Sequence, residues 1–317
     1  MPRNPRNQPR SVGEPRRGRA TTLEELDQLQ GLLGTPEGLA AGLALQLRPT
    51  DVVISPFAKC GTTWIQQIVH GLRTRGDIDF DDISRVIPFI EVSTDLGLDL
   101  DADQIAEPRA FKAHLGWDKV PKGGRYIVSL RHPGDALVSA FRFMEGWFIE
   151  PGAIPIAGFA RHRFLQHRSE DGTPRGYWAH LLSWWPHRHD PNVLLLAYEH
   201  MRQDLPATVR RIATFLDIPL DPALERIVTR QASLDFMTGH KSKFDDLLLR
   251  ERSERIGRLP PGSDSAKVRT GAVGSRRQDL PPDIHAQLDH IWTDLITPTL
   301  AFETYEALLE GLAAEGG

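Results

Sequence analysis

A short turn rich in anion-binding groups follows the first strongly apolar run of the chain. Residues 51–54 read Asp-Val-Val-Ile, and residues 55–64 read SPFAKCGTTW. A strand that enters such a turn and leaves it as a helix directs backbone N–H groups toward one point. Lys59, Thr62 and Thr63 add a cation and two hydroxyls at that point. The turn is therefore predicted to bind a phosphate or a sulfate.

The order of residues in this turn separates it from the Walker A nucleotide-binding loop. In Walker A the lysine follows the last glycine, whereas here Lys59 precedes Gly61. The turn keeps the strand-loop-helix arrangement without matching that pattern. Two interpretations stay open from this stretch alone, a different kind of anion site and a structural turn with an incidental lysine.

The apolar pattern predicts strands that alternate with helices. Runs of apolar residues predict strands at 52–55, 110–115, 126–130 and 193–197, and helical spacing predicts one or two helices in 23–47 and further helices from 62, over 136–143, over 205–216 and over 284–295. Strands that alternate with helices favour a mainly parallel sheet covered on both faces. The predicted fold is a single α/β domain with a central, mainly parallel β-sheet flanked by helices.

The two ends of this domain differ in composition. Residues 1–20 contain six arginines and four prolines against one acidic residue, which predicts a disordered arm. The domain is then expected to cover 21–317. Within it, 241–266 is charged and then rich in proline, glycine and serine, which predicts a mobile lid or surface loop.

Charge and cysteine content limit the classes of partner and compartment. The 38 Lys and Arg residues balance 42 Asp and Glu residues, and the isoelectric point of about 6.3 argues against a general nucleic-acid binder. A single cysteine, Cys60, excludes an intramolecular disulfide and fits a reducing compartment. No apolar run has the length of a membrane span and no signal peptide is recognisable. The expected location is the cytoplasm.

Three ordered segments between residues 55 and 274 resemble the cytosolic-type sulfotransferases, which use 3'-phosphoadenosine 5'-phosphosulfate (PAPS). The loop at 59–64, Lys-Cys-Gly-Thr-Thr-Trp, resembles the family's 5'-phosphosulfate loop, PKSGTTW. Residues 131–139, Arg-His-Pro-Gly-Asp-Ala-Leu-Val-Ser, resemble its 3'-phosphate segment, RNPKDxxxS. Residues 269–274, Arg-Thr-Gly-Ala-Val-Gly, resemble its late RKGxxG motif. The resemblance implies an enzyme that transfers a sulfuryl group and releases adenosine 3',5'-bisphosphate (PAP).

The resemblance also implies which residues hold the donor. The 5'-phosphosulfate would be held by the first loop, the 3'-phosphate by the second and third segments, and the adenine by aromatic rings. The residues with these implied roles are Lys59, Cys60, Gly61, Thr62, Thr63, Trp64, Arg131, Ser139, Tyr198, Arg269, Thr270 and Gly271.

The implied chemistry is in-line transfer to a hydroxyl of a small organic acceptor. Residues 112–116, Lys-Ala-His-Leu-Gly, are similar to the family's KTHLP segment and make His114 the expected general base. Lys59 and Lys112 are expected to stabilise the leaving phosphate, and the scheme needs no metal. Phe57, Phe89 and Trp117 are expected to line the acceptor pocket.

The chain departs from the family's motifs at several positions. Cys60 replaces a serine, Thr270 replaces the lysine of RKG, and Ser275-Arg276 replaces Asp-Trp. Arg276 or Arg277 is expected to return the missing positive charge. Leu234 stands where an aromatic residue against adenine is expected. The family's dimerisation motif is not recognisable, and the sequence predicts no oligomeric state.

Two other functions and two aromatic pairs stay open at this level. A nucleotide-dependent kinase should show GK[ST] and an acidic metal ligand after a strand, where this chain has Arg131. A nucleotide-binding protein without catalysis would have no use for both Lys59 and His114. Residues 147–148 and 184–185 are aromatic pairs that suit either a pocket wall or the core.

Overall fold

A parallel sheet forms the centre of the molecule. The computed structural model describes residues 18–265, 267–268, 271 and 273–315. The strands of the sheet are β1 (Val52–Ile54), β2 (Ala110–Lys112), β3 (Arg125–Leu130) and β4 (Val193–Ala197). They lie in the order β2-β1-β3-β4, and each neighbouring pair is parallel. The prediction of a single α/β domain with a parallel central sheet is confirmed.

Helices surround this sheet and make up most of the remaining described chain. The α-helices are α1 (Leu23–Gly31), α2 (Pro36–Leu43), α3 (Thr62–Thr74), α4 (Ile83–Val86), α5 (Pro133–Trp147), α6 (Ile156–Arg163), α7 (Gly176–Trp184), α8 (Tyr198–Gln203), α9 (Leu205–Phe215), α10 (Pro222–Gln231), α11 (Leu234–Gly239), α12 (Leu247–Ile256), α13 (Arg276–Asp279), α14 (Pro282–Ile291), α15 (Thr297–Leu300) and α16 (Tyr305–Glu315). Short 3-10 turns cover Thr94–Leu96, Trp185–His187 and Lys241–Phe244, and a π-helical turn at Trp292–Ile296 joins α14 to α15. None of the described helices has the length and apolar content that a bilayer span requires.

Both faces of the sheet are buried. Val53 of β1 and Tyr126 of β3 belong to one apolar cluster, whereas Ile54 and Ile127 belong to the cluster on the opposite face. Successive strand residues point to opposite faces, so such a strand is apolar at every position. This is why the strands read as unbroken apolar runs in the sequence.

The register of the sheet sets where chemistry can occur. Ile54, the last residue of β1, pairs with Lys112 on one side and with Ile127 on the other. The carboxyl ends of β1, β2 and β3 therefore meet at one edge of the sheet, the usual place for ligand sites in parallel sheets. The turn before α3, the end of β2 and the turn before α5 all leave the sheet at this edge.

Helix α5 begins earlier and ends later than the sequence pattern predicted. It covers 133–147 rather than 136–143. Pro133 suits the first turn of a helix, where its missing N–H needs no partner. The His132 ring caps the helix, because its Nδ1 accepts a hydrogen bond of 3.0 Å from the Gly134 N–H. Phe143, Met144 and Trp147 are consequently helical.

Of the two segments predicted to be disordered or mobile, 1–20 and 241–266, the second is described over most of its length and the first only at its end. Ala20, the last residue of the predicted arm, is buried, and its N–H donates to the Phe148 carbonyl at 2.7 Å. Residues 1–17 lie outside the described residues. The predicted lid forms a 3-10 turn and α12, with Phe244 and Leu249 buried. Movement of this segment stays a prediction.

A buried ion pair joins the starts of β1 and β2. The Arg109 guanidinium donates from Nη2 to Asp51 Oδ2 at 2.6 Å and from Nε to Asp51 Oδ1 at 3.1 Å. The two side chains are 3% and 0% exposed. A bidentate pair of this kind fixes the relative position of the two strands. It therefore supports the edge from which Lys112 emerges.

Replacing Arg109 with methionine should lower the free energy of unfolding by about 3–5 kcal/mol, because the substitution leaves the Asp51 carboxylate buried without its partner. Urea denaturation measures the change. The matched control is Arg85→Met, which removes the exposed pair with Asp81, side chains 44% and 55% exposed, and should cost less than about 1 kcal/mol. Similar losses from the two variants would contradict a structural role for the buried pair.

Candidate active site

A cavity of about 350 Å³ opens at the carboxyl edge of the sheet. Its walls include the turn before α3, the end of β2, helices α5, α8 and α12, and the residues Lys267, Val268, Gly271 and Ser275. Segments far apart in the sequence therefore meet there. All three motif segments contribute residues to this cavity.

The turn between β1 and α3 is held in an unusual backbone conformation. Lys59 has φ 70° and Gly61 has φ 102°. A Cβ atom at Gly61 would lie 3.2 Å from Tyr198 Cδ2 and 3.3 Å from Ser129 Oγ, so only glycine fits. The Ser129 hydroxyl donates to the Cys60 carbonyl. The sequence Lys-Cys-Gly thus serves a tight turn that presents the following N–H groups.

The N-terminus of α3 faces the cavity with donors that suit an anion. Gly61 caps the helix without a side-chain hydrogen bond, and Gly61, Thr62 and Thr63 line the cavity. Thr62 Oγ1 is buried and has no hydrogen-bond partner among the described residues. Backbone N–H groups and the positive end of the helix dipole favour negative charge here. These groups fit a phosphate or sulfate group.

A cation, a loop carbonyl and two rings form the next part of the wall. Arg131 Nη1 donates to the Lys59 carbonyl at 2.8 Å, and the guanidinium carbon lies 4.2 Å from the centre of the Tyr198 ring. The ring of Trp64 meets Tyr198 edge to face at 5.6 Å. Ser139, nearly two turns into α5, lines the same cavity. The structure therefore brings the first two motif segments together.

The late motif lies partly outside the described residues, because Arg269 and Thr270 are not among them. Gly271 lines the cavity with φ 57°. Asp135 holds the end of this segment, since its carboxylate accepts from the N–H groups of Gly274 at 2.7 Å and Arg276 at 2.9 Å. These hydrogen bonds tie the late motif to the N-terminus of α5.

The expectation that Arg276 returns a positive charge to the cavity is wrong. Its guanidinium pairs with Asp135 at 3.3 Å and with Glu306 at 3.0 Å instead. Neither Arg276 nor Arg277 belongs to the described lining, which contains Lys267 and Arg202. The additional cations thus come from positions that the motif comparison did not indicate.

His114 lines the cavity, and a hydrogen bond at Nδ1 fixes the orientation of its ring. Its Nδ1 lies 2.8 Å from the Pro56 carbonyl, which can only accept, so Nδ1 carries the proton and Nε2 is the acceptor. The His114 backbone N–H donates to Glu91 Oε1 at 2.7 Å. Desolvation, reinforced by the nearby Lys112 ammonium, lowers the pKa of His114 to about 3. The imidazole is therefore neutral at physiological pH.

Two lysines flank this histidine, and both have lowered pKa values. Desolvation and the Lys267 charge lower the pKa of Lys59 to about 7. Desolvation also lowers the pKa of Lys112 to about 8, although Asp246 opposes the shift. The Lys59 ammonium lies 4.2 Å from the centre of the Phe143 ring, and the Lys112 ammonium lies 4.0 Å from that of Phe89. An added anion would stabilise both ammonium ions.

Apolar side chains form part of the cavity wall, but only one of the three predicted acceptor residues belongs to it. Phe89 lines the cavity and meets the His114 ring edge to face at 5.3 Å. Phe57 packs instead against Phe164 and Tyr177, and Trp117 stacks on His187 at 3.9 Å. The assignment of Phe57 and Trp117 to the wall is therefore corrected, because both rings complete packing behind the site.

Most of the apolar wall was not identified from the sequence. It consists of Leu33, Phe143, Met144, Trp147, Phe148 and Leu249. Residues 147–148 were an open alternative, whereas Trp184 and Trp185 pack in the core. The helical period of α5 predicts that Phe143 and Trp147 share a face. Leu33 and Leu249 lie in segments that carry no motif. Leu234, where a ring was expected, also lines the cavity.

A buried cluster of charge beside His114 was likewise missed. Asp246 and Lys267 line the cavity and form an ion pair with each other. Asp246 Oδ1 also lies 3.7 Å from Lys112 Nζ. Asp246 falls in the charged segment that predicted a lid, and nothing in the residue pattern distinguishes it from its neighbours.

The family model and the known proteins to which this chain is similar have the same description. The sequence model described as "Sulfotransferase domain" matches residues 49–299. Amine sulfotransferase of Oryctolagus cuniculus is 28% identical over 262 residues, covering 78% of this chain and 81% of that protein. Sulfotransferase 1E1 of Homo sapiens is 26% identical over 276 residues, covering 82% and 89%.

Solved structures show the same fold. Retinol dehydratase in complex with androsterone and PAP has a TM-score of 0.65 at 21% identity, covering 88% of this chain and 96% of that one. Mouse sulfotransferase SULT7A1 complexed with PAP has a TM-score of 0.64 at 21% identity, covering 85% and 92%. Because the family model spans most of the chain, the resemblance seen in the three motif segments is confirmed, and this protein belongs to the sulfotransferase family.

Proposed function

We propose that this enzyme transfers a sulfuryl group from PAPS to a hydroxyl of a small, largely apolar organic acceptor, with His114 as the general base. The observation that carries the proposal is the position of His114. The hydrogen bond to the Pro56 carbonyl leaves its Nε2 unprotonated, and the ring lines one cavity together with the anion-binding turn and the apolar side chains. Membership of the sulfotransferase family supports the reaction class.

PAPS supplies an activated sulfuryl group on a 5'-phosphate and a 3'-phosphate for recognition. Lys59 and the N–H groups of Gly61, Thr62 and Thr63 would hold the 5'-phosphosulfate, with Thr62 Oγ1 as an additional donor. Arg131, Ser139 and the late motif, including Arg269 and Thr270, would hold the 3'-phosphate. Trp64 and Tyr198 provide aromatic surface for the adenine. The cavity thus fits the donor in charge and in donor groups.

His114 would take the proton of the acceptor hydroxyl at Nε2 as the oxygen attacks sulfur. The new S–O bond forms while the bond from sulfur to the phosphate oxygen breaks. The hydrogen bond from Nδ1 to the Pro56 carbonyl fixes the tautomer and the ring orientation. Lys59 and Lys112 would stabilise the negative charge that develops on the leaving phosphate.

The apolar wall supports an acceptor with a small hydrocarbon or aromatic skeleton. Phe89, which contacts the His114 ring, lines the cavity together with Phe143 and Trp147, and a highly charged acceptor would lose hydration there. A kinase has no observation in its favour, because the loop departs from Walker A and the family is that of sulfotransferases.

Replacing His114 with alanine should lower the transfer rate by about 100- to 10,000-fold, since the acceptor hydroxyl loses its base. PAP affinity should change little. Transfer is measured with radiolabelled PAPS and a panel of phenols and alcohols, and PAP binding is measured by calorimetry. His187→Ala is the control, because that ring stacks on Trp117 behind the site. Turnover close to the wild-type rate in His114→Ala would refute the assignment.

Arg131→Ala should weaken binding of PAP at least roughly tenfold, because a buried charged donor to the 3'-phosphate is lost. Adenosine 5'-monophosphate lacks that phosphate and should lose much less affinity. Calorimetric titration of both nucleotides against wild type and variant isolates the 3'-phosphate contribution. An equal loss for the two nucleotides would instead assign Arg131 to the loop that it bonds at Lys59.

PAP binding should weaken as pH rises between about pH 7 and about pH 9, because the lysines of the free enzyme lose their protons there. The pKa values of Lys59 and Lys112 are lowered to about 7 and about 8. The bound anion raises both values, so binding takes up protons and its constant falls with rising pH. Calorimetry in buffers of different ionisation enthalpy measures the uptake. A constant affinity without proton uptake across this range would contradict the prediction.

A further inference from the structure

One carboxylate lies among the lysines of the proposed transfer site and has no part in the mechanism above. Asp246 Oδ1 pairs with Lys267 Nζ and lies 3.7 Å from Lys112 Nζ. The side chains of Asp246, Lys112 and Lys267 are 4%, 4% and 9% exposed. Asp246 lines the cavity together with Lys59 and His114. A negative charge is therefore built into the place where the donor's negative charge is expected.

The Asp246 side chain does not cap helix α12, although Asp246 occupies the N-cap position. It directly precedes α12, and aspartate at such a position usually accepts hydrogen bonds from the first N–H groups of its own helix. Its side chain makes no such bond. The Leu248 N–H donates instead to Asp82 Oδ2 at 2.9 Å. The Asp246 carboxylate is thus directed to the lysines, and a second aspartate caps the helix.

The backbone conformation of Asp246 is one that is found at functional sites. Its φ of 50° and ψ of 50° lie in the left-handed region, which non-glycine residues rarely adopt. Such conformations persist where the surroundings fix them, and they concentrate at functional sites. This conformation turns the carboxylate into the cavity.

The charges in the cluster depend on one another. Burial alone would raise the pKa of Asp246, but Lys112, Lys267 and Lys59 outweigh this effect and hold the pKa of its carboxyl below the ordinary value. Asp246 in turn counteracts the desolvation that lowers the pKa of Lys59 and Lys112. The carboxylate thus compensates part of the positive charge that this site encloses.

We propose that Asp246 is an internal anion that compensates the charge of Lys59, Lys112 and Lys267 in the free enzyme, so that the incoming donor competes with this carboxylate for the lysines. The inference rests on the proposed function, because it takes PAPS as the incoming anion. Asp246 keeps the cluster charged and ordered in the free enzyme. The same carboxylate repels the phosphate groups of PAPS and PAP, so it lowers the affinity of the site for both and favours product release.

The direct test is Asp246→Asn, which removes the negative charge and keeps the size of the side chain. PAP should bind roughly tenfold or more tightly to the variant, because a like charge a few ångströms from the ligand has been removed. Calorimetry at about pH 5.5, well below the pKa of about 7 of Lys59, keeps the lysines of the wild type protonated. The variant loses the carboxylate that raises the pKa of Lys59 and Lys112, so repeating the titration in buffers of different ionisation enthalpy separates any proton uptake from the change in affinity. Equal or weaker binding of PAP by the folded variant would overturn the proposal.

Asp245→Asn provides the matched control. Asp245 is the preceding residue and is also buried, but its carboxylate pairs with Arg250 at 2.9 Å and accepts from the Ser265 hydroxyl. It is not among the residues that line the cavity. PAP affinity should therefore stay near that of the wild type. A gain in Asp245→Asn as large as in Asp246→Asn would show a general effect of charge, and would also overturn the proposal.

A second comparison covers the case in which Asp246→Asn alone does not fold, since it leaves Lys267 without its carboxylate. Lys267→Met should weaken PAP binding, and adding Asp246→Asn to it should restore affinity. A double variant that binds PAP no better than Lys267→Met would contradict the inference.

If the wild-type enzyme itself fails to bind PAP, the proposed donor is wrong. Wild-type binding without any effect of Asp246 leaves the donor assignment intact and removes only the inference.

Discussion

The concentration of positive charge at one edge of the sheet is the constraint on which the rest of the site depends. Lys59, Lys112 and Lys267 line one enclosed cavity with Arg131. Enclosing like charges is unfavourable, because each loses hydration and repels the others. The lowered pKa values of Lys59 and Lys112 express that cost. Such an arrangement is stable only with compensating negative charge, from the protein itself or from a ligand.

The parallel register brings these cations together. Since Ile54 pairs with both Lys112 and Ile127, β1 and β2 end at the same level while β3 continues to Leu130, and the segments that follow the three strands leave the sheet at one edge. The buried pair of Asp51 and Arg109 fixes the opposite ends of β1 and β2. Apolar packing on both faces and one buried ion pair thus hold the sheet, while the cations lie at the carboxyl ends of its strands.

The strands of the sheet and the anion-binding loop could be predicted from the sequence, whereas several residues of the cavity wall could not. Strands buried on both faces leave continuous apolar runs, and a lysine, a glycine and two threonines directly after such a run indicate an anion-binding turn, so β1, β3, β4 and the loop at Lys59 could be identified. Phe57 and Trp117 were misassigned because closeness in sequence to an active-site residue does not fix the direction of a side chain. Asp246 could not be identified, since its role depends on a lysine twenty-one residues further along the chain.

The apolar wall proposed for the acceptor carries no sequence motif, because its residues come from segments that meet only in the folded state. Arg252 of α12 donates from Nε to the Leu33 carbonyl at 2.8 Å and from Nη1 to the Asp95 carbonyl at 2.8 Å. Asp95 Oδ2 accepts in turn from the Thr35 N–H at 2.9 Å. Leu33 and Leu249, on the two sides of this connection, both line the cavity. Displacement of α12 would therefore break the bonds of Arg252 and withdraw Asp246 from the lysines in one movement. Asp246, beside the lysines of the proposed donor site, thus directly precedes the helix that carries Leu249 of the apolar wall.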